Sequence, residues 1–279
     1  MALIFLFASA LCWTLFDLAR KTLASSESPL ALTLAFNVGA IPLYATAWFF
    51  SSEGVAPADY WVPSFIAAVL AAIAALGFIT ALKLGDIARV IPVLALTPVI
   101  STLAAGVILN ESMTLLQWLA MLVTIVAIIG AQGGLHHVRG KPFLLMLLVC
   151  FGWGLGIVFD KQALAHSGPF FHGLVQTFAG SVILMVFAVT TGLRARLTGR
   201  VIRVIPALLI FVGAVVFQWL ALTDLDAGVI ETVKRSIGII GALLAGALIF
   251  NEQVSRAQIL WCLVILSGIP VILQPELSL

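Results

Sequence analysis

Ten stretches of mostly apolar residues, each about 20 residues long, follow one another along this chain. A helix of this length crosses the hydrocarbon core of a bilayer, which is about 30 Å thick. The connections are short and rich in residues that end helices. The pattern predicts an all-α integral membrane protein with ten transmembrane helices. Since no soluble domain fits between them, an enzyme is not expected. The predicted helices lie near 2–23, 29–50, 61–82, 87–109, 113–132, 143–164, 169–191, 203–223, 227–249 and 255–274.

The composition excludes several other classes of protein. Hydrophobic residues make up 62% of the 279 residues, charged residues make up 9%, and the mean hydropathy is +1.20. Soluble domains have about 45–50% apolar and about 25% charged residues. The net charge of +2 is scattered along the chain, so nucleic acid is not an expected partner. The cysteines and histidines lack metal-ligand spacing, so no disulfide, metal site or cofactor is predicted; they are Cys12, Cys150, Cys262, His136, His137, His166 and His172.

The chain repeats itself at a distance of 140 residues. The matched pairs are Trp13 with Trp153, Lys21 with Lys161, Pro29 with Pro169, and Asp86 with Asp226; after one inserted residue, Asn110-Glu111 matches Asn251-Glu252 and Gln117 matches Gln258. The predicted domains are residues 1–135 and 141–279. Five helices is an odd number, so the two copies are expected to enter the membrane in opposite directions. Such inverted repeats are typical of secondary transporters.

The order of certain residues in each half gives this repeat a family resemblance. Each half carries a Trp and then a Lys near the end of its first helix, and the first half contains ALKLGDIARVIPVLALTPVISTLAAGVILNESMTLLQWLAMLVTIVAIIGA. In these features the whole chain resembles the EamA-type transporters of the drug/metabolite transporter superfamily. The resemblance implies a five-plus-five helix fold and transport of a small molecule, whose identity it does not specify. The second half departs from the first, because Glu231, Lys234 and Arg235 occupy the segment that corresponds to Pro92 and Pro98.

These three charged residues are the first candidates for a substrate site. Ionisable groups at membrane depth are costly unless they are paired or face a polar cavity. Glu231 lies three residues before Lys234 and four before Arg235, spacings that permit ion pairs on one helix face. The cluster is therefore either a self-neutralised structural element or a site where Arg235 or Lys234 binds a carboxylate or phosphate. In the second case Glu231 holds the cations in place or exchanges a proton.

Four charged residues near the ends of the first and sixth predicted helices are candidates for gating or coupling: Asp17, Lys21, Asp160 and Lys161. For the lysines the alternative is that they anchor the helix ends at lipid headgroups. Asp17 lies deeper and has the spacing to pair with Lys21. Trp13 and Trp153 lie about two turns before the lysines. These tryptophans are expected either to line the central cavity or to pack between helices.

Acidic and small residues near the ends of two helices indicate helix termini and close packing. Glu111 and Glu252 mark helix ends, and the small residues of LAAG and LLAGAL fit either helix packing within the chain or a homodimer contact.

Basic loop residues lie on one side of the predicted bundle: Arg139, Lys141, Arg194, Arg196, Arg200, Arg203 and Arg256. The positive-inside rule then places both termini outside the cytoplasm. The family resemblance implies the opposite orientation.

The sequence as a whole predicts a secondary carrier of a small organic metabolite in the cytoplasmic (inner) membrane. An anionic group on the metabolite is the favoured feature, and proton coupling or exchange is left open. No P-loop of the form GxxxxGK[ST] is present, which argues against a self-contained ATP-driven pump. The partners expected are the solute and the lipid bilayer. A lipid-headgroup flippase and an accessory subunit without transport activity are the alternatives.

Overall fold

Helices form nearly all of the chain that the structure describes. The computed structural model describes residues 1–108, 114–131, 140–197 and 201–272. The helices are α1 (Ala2–Ala24), α2 (Pro29–Phe50), α3 (Trp61–Leu84), α4 (Ile87–Val90), α5 (Leu96–Ile108), α6 (Leu115–Ala131), α7 (Lys141–Leu164), α8 (Pro169–Thr191), α9 (Val204–Leu222), α10 (Ala227–Leu248) and α11 (Arg256–Ile272), with 3₁₀ turns at Ala58–Tyr60, Ile91–Ala95 and Val201–Arg203.

Every predicted membrane helix has a helical counterpart in the structure. The fourth is divided into α4, the 3₁₀ turn Ile91–Ala95 and α5. Pro92 lies in this turn and Pro98 lies near the start of α5, and a proline removes a backbone donor from a regular helix. Within the described residues, seven helical segments are long and apolar enough to cross a membrane. The structure therefore supports an all-helical membrane protein.

The three remaining helices are either short or charged, so their length and composition alone do not identify them as membrane spans. The 22 residues of α10 are sufficient in length, but the helix contains the charged cluster of Glu231, Lys234 and Arg235. The helices α6 and α11 each have 17 residues. A complete count of ten membrane-crossing helices therefore remains an inference from the sequence.

The ends of several helices follow local sequence rules. Pro29 and Pro169 begin α2 and α8, positions at which a missing backbone N–H costs no helical hydrogen bond. The Ser28 side chain accepts a hydrogen bond from the backbone of Ala31 and caps α2. Gly192 ends α8 with φ +67°, a left-handed conformation that favours glycine. The matched prolines thus begin matched helices.

Helices of the two halves interlock rather than forming separate bundles. The helix α3 packs most extensively on α7. Under the 140-residue shift, α3 corresponds to α9 and α7 corresponds to α1, and these two helices also pack on each other. The pairs α2 with α8 and α6 with α11 also join the halves. At Gly152 of α7, an added Cβ would lie 2.8 Å from the Cβ of Ala74 and 3.0 Å from the carbonyl oxygen of Leu70. This glycine permits the close approach of α3 and α7.

Many apolar side chains point away from the protein interior. Phe50, Val107 and Val189 are 80%, 82% and 83% exposed. Exposed apolar surface on this scale is unusual for a protein in water and suits a surface covered by lipid. In contrast, an added Cβ at Gly246, in the LLAGAL stretch, would lie 2.9 Å from the Cβ of Ala88. This part of the small-residue pattern packs within the chain, and a homodimer remains a prediction.

Candidate functional site

A cavity lies between the halves, among α1, α2, α3, α7, α8, α9 and α10. Its volume is about 130 Å³. Of the nine predicted site residues, six line it: Trp13, Trp153, Asp160, Glu231, Lys234 and Arg235. Asp17 pairs with the lining residue Arg20, and Asp17, Lys21 and Lys161 do not line the cavity themselves.

The α10 cluster forms the most strongly charged part of the cavity wall. Arg235 donates from Nε to Glu231 Oε2 at 3.0 Å, and its Nη2 lies 2.8 Å from the same oxygen. Lys234 pairs with Glu231 Oε1 and donates to Gln218 Oε1 at 2.7 Å. The three side chains of the cluster are at most 6% exposed. The sequence prediction of ion pairing on one helix face is correct, and one carboxylate is shared by two cations.

A pair of tryptophans lies beside these cations. The ring centres of Trp13 and Trp153 are 6.3 Å apart. The Nζ of Lys234 lies 5.2 Å from the ring centre of Trp13, and the guanidinium carbon of Arg235 lies 5.3 Å from that of Trp153. Both distances permit cation–π attraction. The buried Nε1 of Trp13 has no hydrogen-bond partner within the described part of the chain, so this donor is available to a ligand.

Arg20 is a cavity residue that was not among the sequence candidates. It pairs with Asp17, for which the sequence spacing had allowed Lys21 as a partner. The guanidinium carbon of Arg20 lies 4.3 Å from the ring centre of Phe16 and 4.2 Å from that of Phe78. Its Nε is buried without a hydrogen-bond partner among the residues described. Aromatic rings therefore hold this cation, and Asp17 acts as its counter-ion.

Lys21 connects helix ends away from the cavity. Its Nζ donates to the carbonyl oxygens of Gly85 at 2.6 Å and Leu82 at 3.1 Å. It also lies 3.7 Å from Oε1 of Glu252. The Glu252 carboxylate accepts backbone hydrogen bonds from Ile87 at 2.8 Å and from Ala88 at 2.9 Å. Glu252 therefore caps the start of α4 from the other half of the chain, and its counterpart Glu111 lies outside the described residues.

Lys161 and Asp160 are neighbours with different surroundings. Lys161 pairs with Asp226, the residue that precedes α10, and both side chains are partly exposed. Asp160 instead lines the cavity, and its Oδ1 lies 3.0 Å from Nε2 of His172. The structure brings Asp160 and the α10 cluster to one cavity and places Lys161 outside.

Uncharged polar side chains complete the cavity wall. Asn37, Gln176 and Gln218 line it, and none of them was a candidate from the sequence. A side-chain amide within a predicted apolar helix is the sequence feature by which these residues could have been found. The buried hydroxyl of Tyr44 and Nε1 of Trp219 also belong to the wall and have no hydrogen-bond partners among the described residues. The cavity thus offers neutral hydrogen-bonding groups as well as charges.

No group of three or more His, Cys, Asp and Glu side chains is arranged to hold a metal ion in the part of the chain that the structure describes. His166 is exposed and His172 is buried, while His136 and His137 lie outside the described residues. Cys150 and Cys262 are buried free thiols, and Cys12 is a partly buried one.

Comparison with known proteins agrees with this architecture. The model of the EamA-like transporter family matches residues 1–131 and 140–274, one match for each half. No curated protein matches the chain. A solved structure, described as a crystal structure of a protein, is 17% identical and has a TM-score of 0.65, and the alignment covers 99% of this chain and 98% of that chain. At this identity the likeness concerns the fold alone.

Proposed function

The chain belongs to the EamA-like transporter family, a family of small-molecule membrane transporters, and we propose that it is a secondary carrier of an organic anion. The proposal includes ten membrane-crossing helices, arranged as an inverted repeat, in the cytoplasmic membrane. The carried compound occupies the cavity between the two halves. No nucleotide is required in this scheme, since alternating access of the cavity is driven by the gradients of the solute and any coupled ion.

One observation supports an anionic substrate above all others. Lys234 and Arg235 share the single carboxylate of Glu231 on a buried cavity wall. The cluster by itself therefore has a net formal charge of +1. Buried charges are stabilised by partners close to them, and a bound carboxylate or phosphate is such a partner. Arg235 favours such a ligand because a guanidinium can donate two parallel hydrogen bonds to it.

The aromatic and neutral polar groups supply the rest of the recognition. Trp13 and Trp153 form an apolar wall beside the cations. The unpartnered Nε1 atoms of Trp13 and Trp219 and the Tyr44 hydroxyl are available as donors. A small organic molecule with an anionic group and a less polar body fits this distribution better than an inorganic ion does.

The matched lysines offer a basis for alternating access. In this structure Lys161 pairs with Asp226, whereas Lys21 donates to the carbonyls that end α3. Asp86, the counterpart of Asp226, lies 3.9 Å from Arg89 instead. In an inverted repeat the two halves exchange conformations between the two states. In the opposite state, Lys21 is therefore expected to pair with Asp86, and Lys161 with the carbonyls that end α9.

A binding measurement tests the anion proposal. The purified full-length protein is screened by thermal shift against glucose 6-phosphate, succinate, AMP, spermidine, leucine and a short-chain anionic phospholipid. We expect organic anions to raise the unfolding temperature of the wild type and to lose this effect in Arg235→Gln. Arg256→Gln is the matched control, because Arg256 is exposed at the start of α11.

Two results would overturn parts of the proposal. If spermidine alone stabilises the protein, the cationic cluster does not select the ligand. If the phospholipid alone stabilises it, a lipid headgroup is the ligand and the flippase alternative is correct.

A further inference from the structure

A hydrogen-bonded chain of three side chains reaches the cavity from the side of the protein where Lys161 lies. The Tyr60 hydroxyl lies 2.9 Å from Nδ1 of His172, and Nε2 of His172 lies 3.0 Å from Oδ1 of Asp160. His172 is completely buried, and the Asp160 side chain is 17% exposed at the cavity. His172 is the fourth residue of α8, so the imidazole lies inside a predicted membrane helix.

We propose that Asp160 and His172 form the proton-binding site of this carrier, and that the proton enters the cavity together with the anion. The second half of this inference rests on the function proposed above, and the first half does not. An imidazole is the side chain that ordinarily gains and loses a proton near neutral pH. Its carboxylate partner here faces the space in which the substrate is expected to bind.

Among the residues that the structure describes, no lysine or arginine forms an ion pair with Asp160. Lys161 is next to Asp160 in sequence but pairs with Asp226. The titratable groups facing the pair are Tyr60 at the start of α3, Tyr44 of α2, which packs on Gly173, and Glu53. The Glu53 carboxylate accepts a hydrogen bond from the backbone N–H of Phe171 at 2.7 Å, at the start of α8. From α9 the neutral indole of Trp219 packs against the imidazole.

The geometry accommodates both protonation states. With a neutral imidazole, the Tyr60 hydroxyl donates to Nδ1 and Nε2–H donates to the Asp160 carboxylate. An added proton binds at Nδ1, which then donates to the Tyr60 oxygen. The Tyr60 hydroxyl hydrogen must turn to another acceptor, and Ser64 lies within its reach. Tyr60 is therefore a positioning residue, and Asp160 with His172 holds the proton.

The proton changes the charge of the whole cavity. In the described residues, three cations and three anions belong to the cavity wall or pair with it, and their formal charges cancel: Arg20, Lys234, Arg235, Asp17, Asp160 and Glu231. A proton on the Asp160–His172 pair makes this set positive by one unit. An anion then binds more tightly, and by linkage a bound anion promotes proton uptake. Proton and anion are therefore expected to move in the same direction.

The indole of Trp219 offers a direct measurement of the proton. Its ring centre lies 4.7 Å from that of His172, and a protonated imidazole at contact quenches indole fluorescence. The signal of Trp219 is the difference between the full-length wild type and Trp219→Phe, recorded from about pH 8 to about pH 5, where an imidazole titrates. We expect a titrating component that is lost in His172→Gln and kept in the control His166→Gln, since His166 is exposed.

Three further variants keep the test decisive if His172→Gln fails to fold. Asp160→Asn removes the carboxylate that stabilises the imidazolium, so the titration midpoint should move to lower pH. Arg235→Gln, or Lys234→Gln, removes a positive charge from the cavity, so the midpoint should move to higher pH. A Trp219 signal that does not titrate in the wild type would overturn the proton site, as would one that survives in His172→Gln. A titration midpoint that is the same in the wild type and in the Arg235→Gln and Lys234→Gln variants would overturn the coupling of the proton to the anion.

The fluorescence titration and the anion screen can each give a negative result without affecting the other. The fluorescence titration requires no substrate, so its failure leaves anion binding by Arg235 intact. If no anion binds while Trp219 still titrates, the proton site stands and the proposed substrate class is wrong.

Discussion

Trp13 and Trp153 occupy matched positions 140 residues apart in the sequence, and their rings lie 6.3 Å apart in the fold. Residues related by a two-fold axis touch only where they lie close to that axis. In the proposed inverted repeat, the Trp13–Trp153 contact therefore marks the approximate axis that relates the two halves. The cations Arg20, Lys234 and Arg235 all lie within 5.7 Å of one of these rings. The positive charge of the cavity is thus concentrated where the two halves meet.

Removing the carboxylate of the α10 cluster should destabilise the protein strongly. Glu231→Gln leaves Lys234 and Arg235 buried without their shared counter-ion. Breaking a buried ion pair from one side costs about 3–5 kcal/mol. We expect a large fall in the unfolding temperature of the purified protein, and little change in Asp59→Asn, whose side chain is exposed. Equal unfolding temperatures for Glu231→Gln and wild type would show that the cations do not need Glu231.

A pair of glycine variants tests the close packing of the halves. Gly152→Ala places a methyl group 2.8 Å from the Cβ of Ala74, whereas nothing lies within 4 Å of a Cβ added at Gly238. Overpacking a tight contact costs about 1–3 kcal/mol. Both variants gain the same helix propensity, so a difference between their unfolding temperatures reports the packing. We expect Gly152→Ala to be the less stable. If both are as stable as the wild type, α3 and α7 do not approach as closely as the structure indicates.

The lysine exchange proposed for alternating access predicts two mutually exclusive cross-links. One pair of cysteines replaces Lys161 and Asp226, and the other replaces Lys21 and Asp86, in a background where Cys12, Cys150 and Cys262 are alanine. A short bifunctional maleimide should link either pair alone in membranes. In the variant with both pairs, linking one should prevent linkage of the other. Two links formed together on the same molecule would contradict the exchange.

The sequence predicted the positions of the helices, although not the division of the fourth, and the ion pairs of the α10 cluster, because both depend on local spacing. Apolar windows of membrane length gave the positions of the helices, and the three- and four-residue separations from Glu231 gave its two ion pairs. Local spacing did not decide the partner of Asp17. Lys21 and Arg20 are both one helical turn away, and the rings of Phe16 and Phe78 hold Arg20 in contact with it.

The polar lining of the cavity could not be derived from spacing within a helix. Tyr60 and His172 are 112 residues apart in the sequence, and Lys234 reaches Gln218 on a neighbouring helix. These contacts arise from the way the two halves interlock. A search for single amides and histidines inside apolar helices would have found Asn37, Gln176, Gln218 and His172, although not their partners.

The orientation in the membrane remains a prediction from the distribution of basic residues, with both termini outside the cytoplasm. A single cysteine at Gly54 lies in the acidic loop before α3, and one at Ala195 lies between Arg194 and Arg196. A membrane-impermeant maleimide should label Gly54→Cys in intact cells and Ala195→Cys only after permeabilisation. The reverse pattern would give the termini the cytoplasmic location that the family resemblance implied.

The cavity between the halves is proposed to carry an organic anion held by Arg235. The exchange of a radiolabelled anion by proteoliposomes tests this, using the compound that most strongly stabilises the wild type in the thermal-shift screen. We expect Arg235→Gln to reduce the exchange rate at least about tenfold, equivalent to about 1.4 kcal/mol, while Arg256→Gln keeps the wild-type rate. Exchange at the wild-type rate by a folded Arg235→Gln protein would contradict the claim.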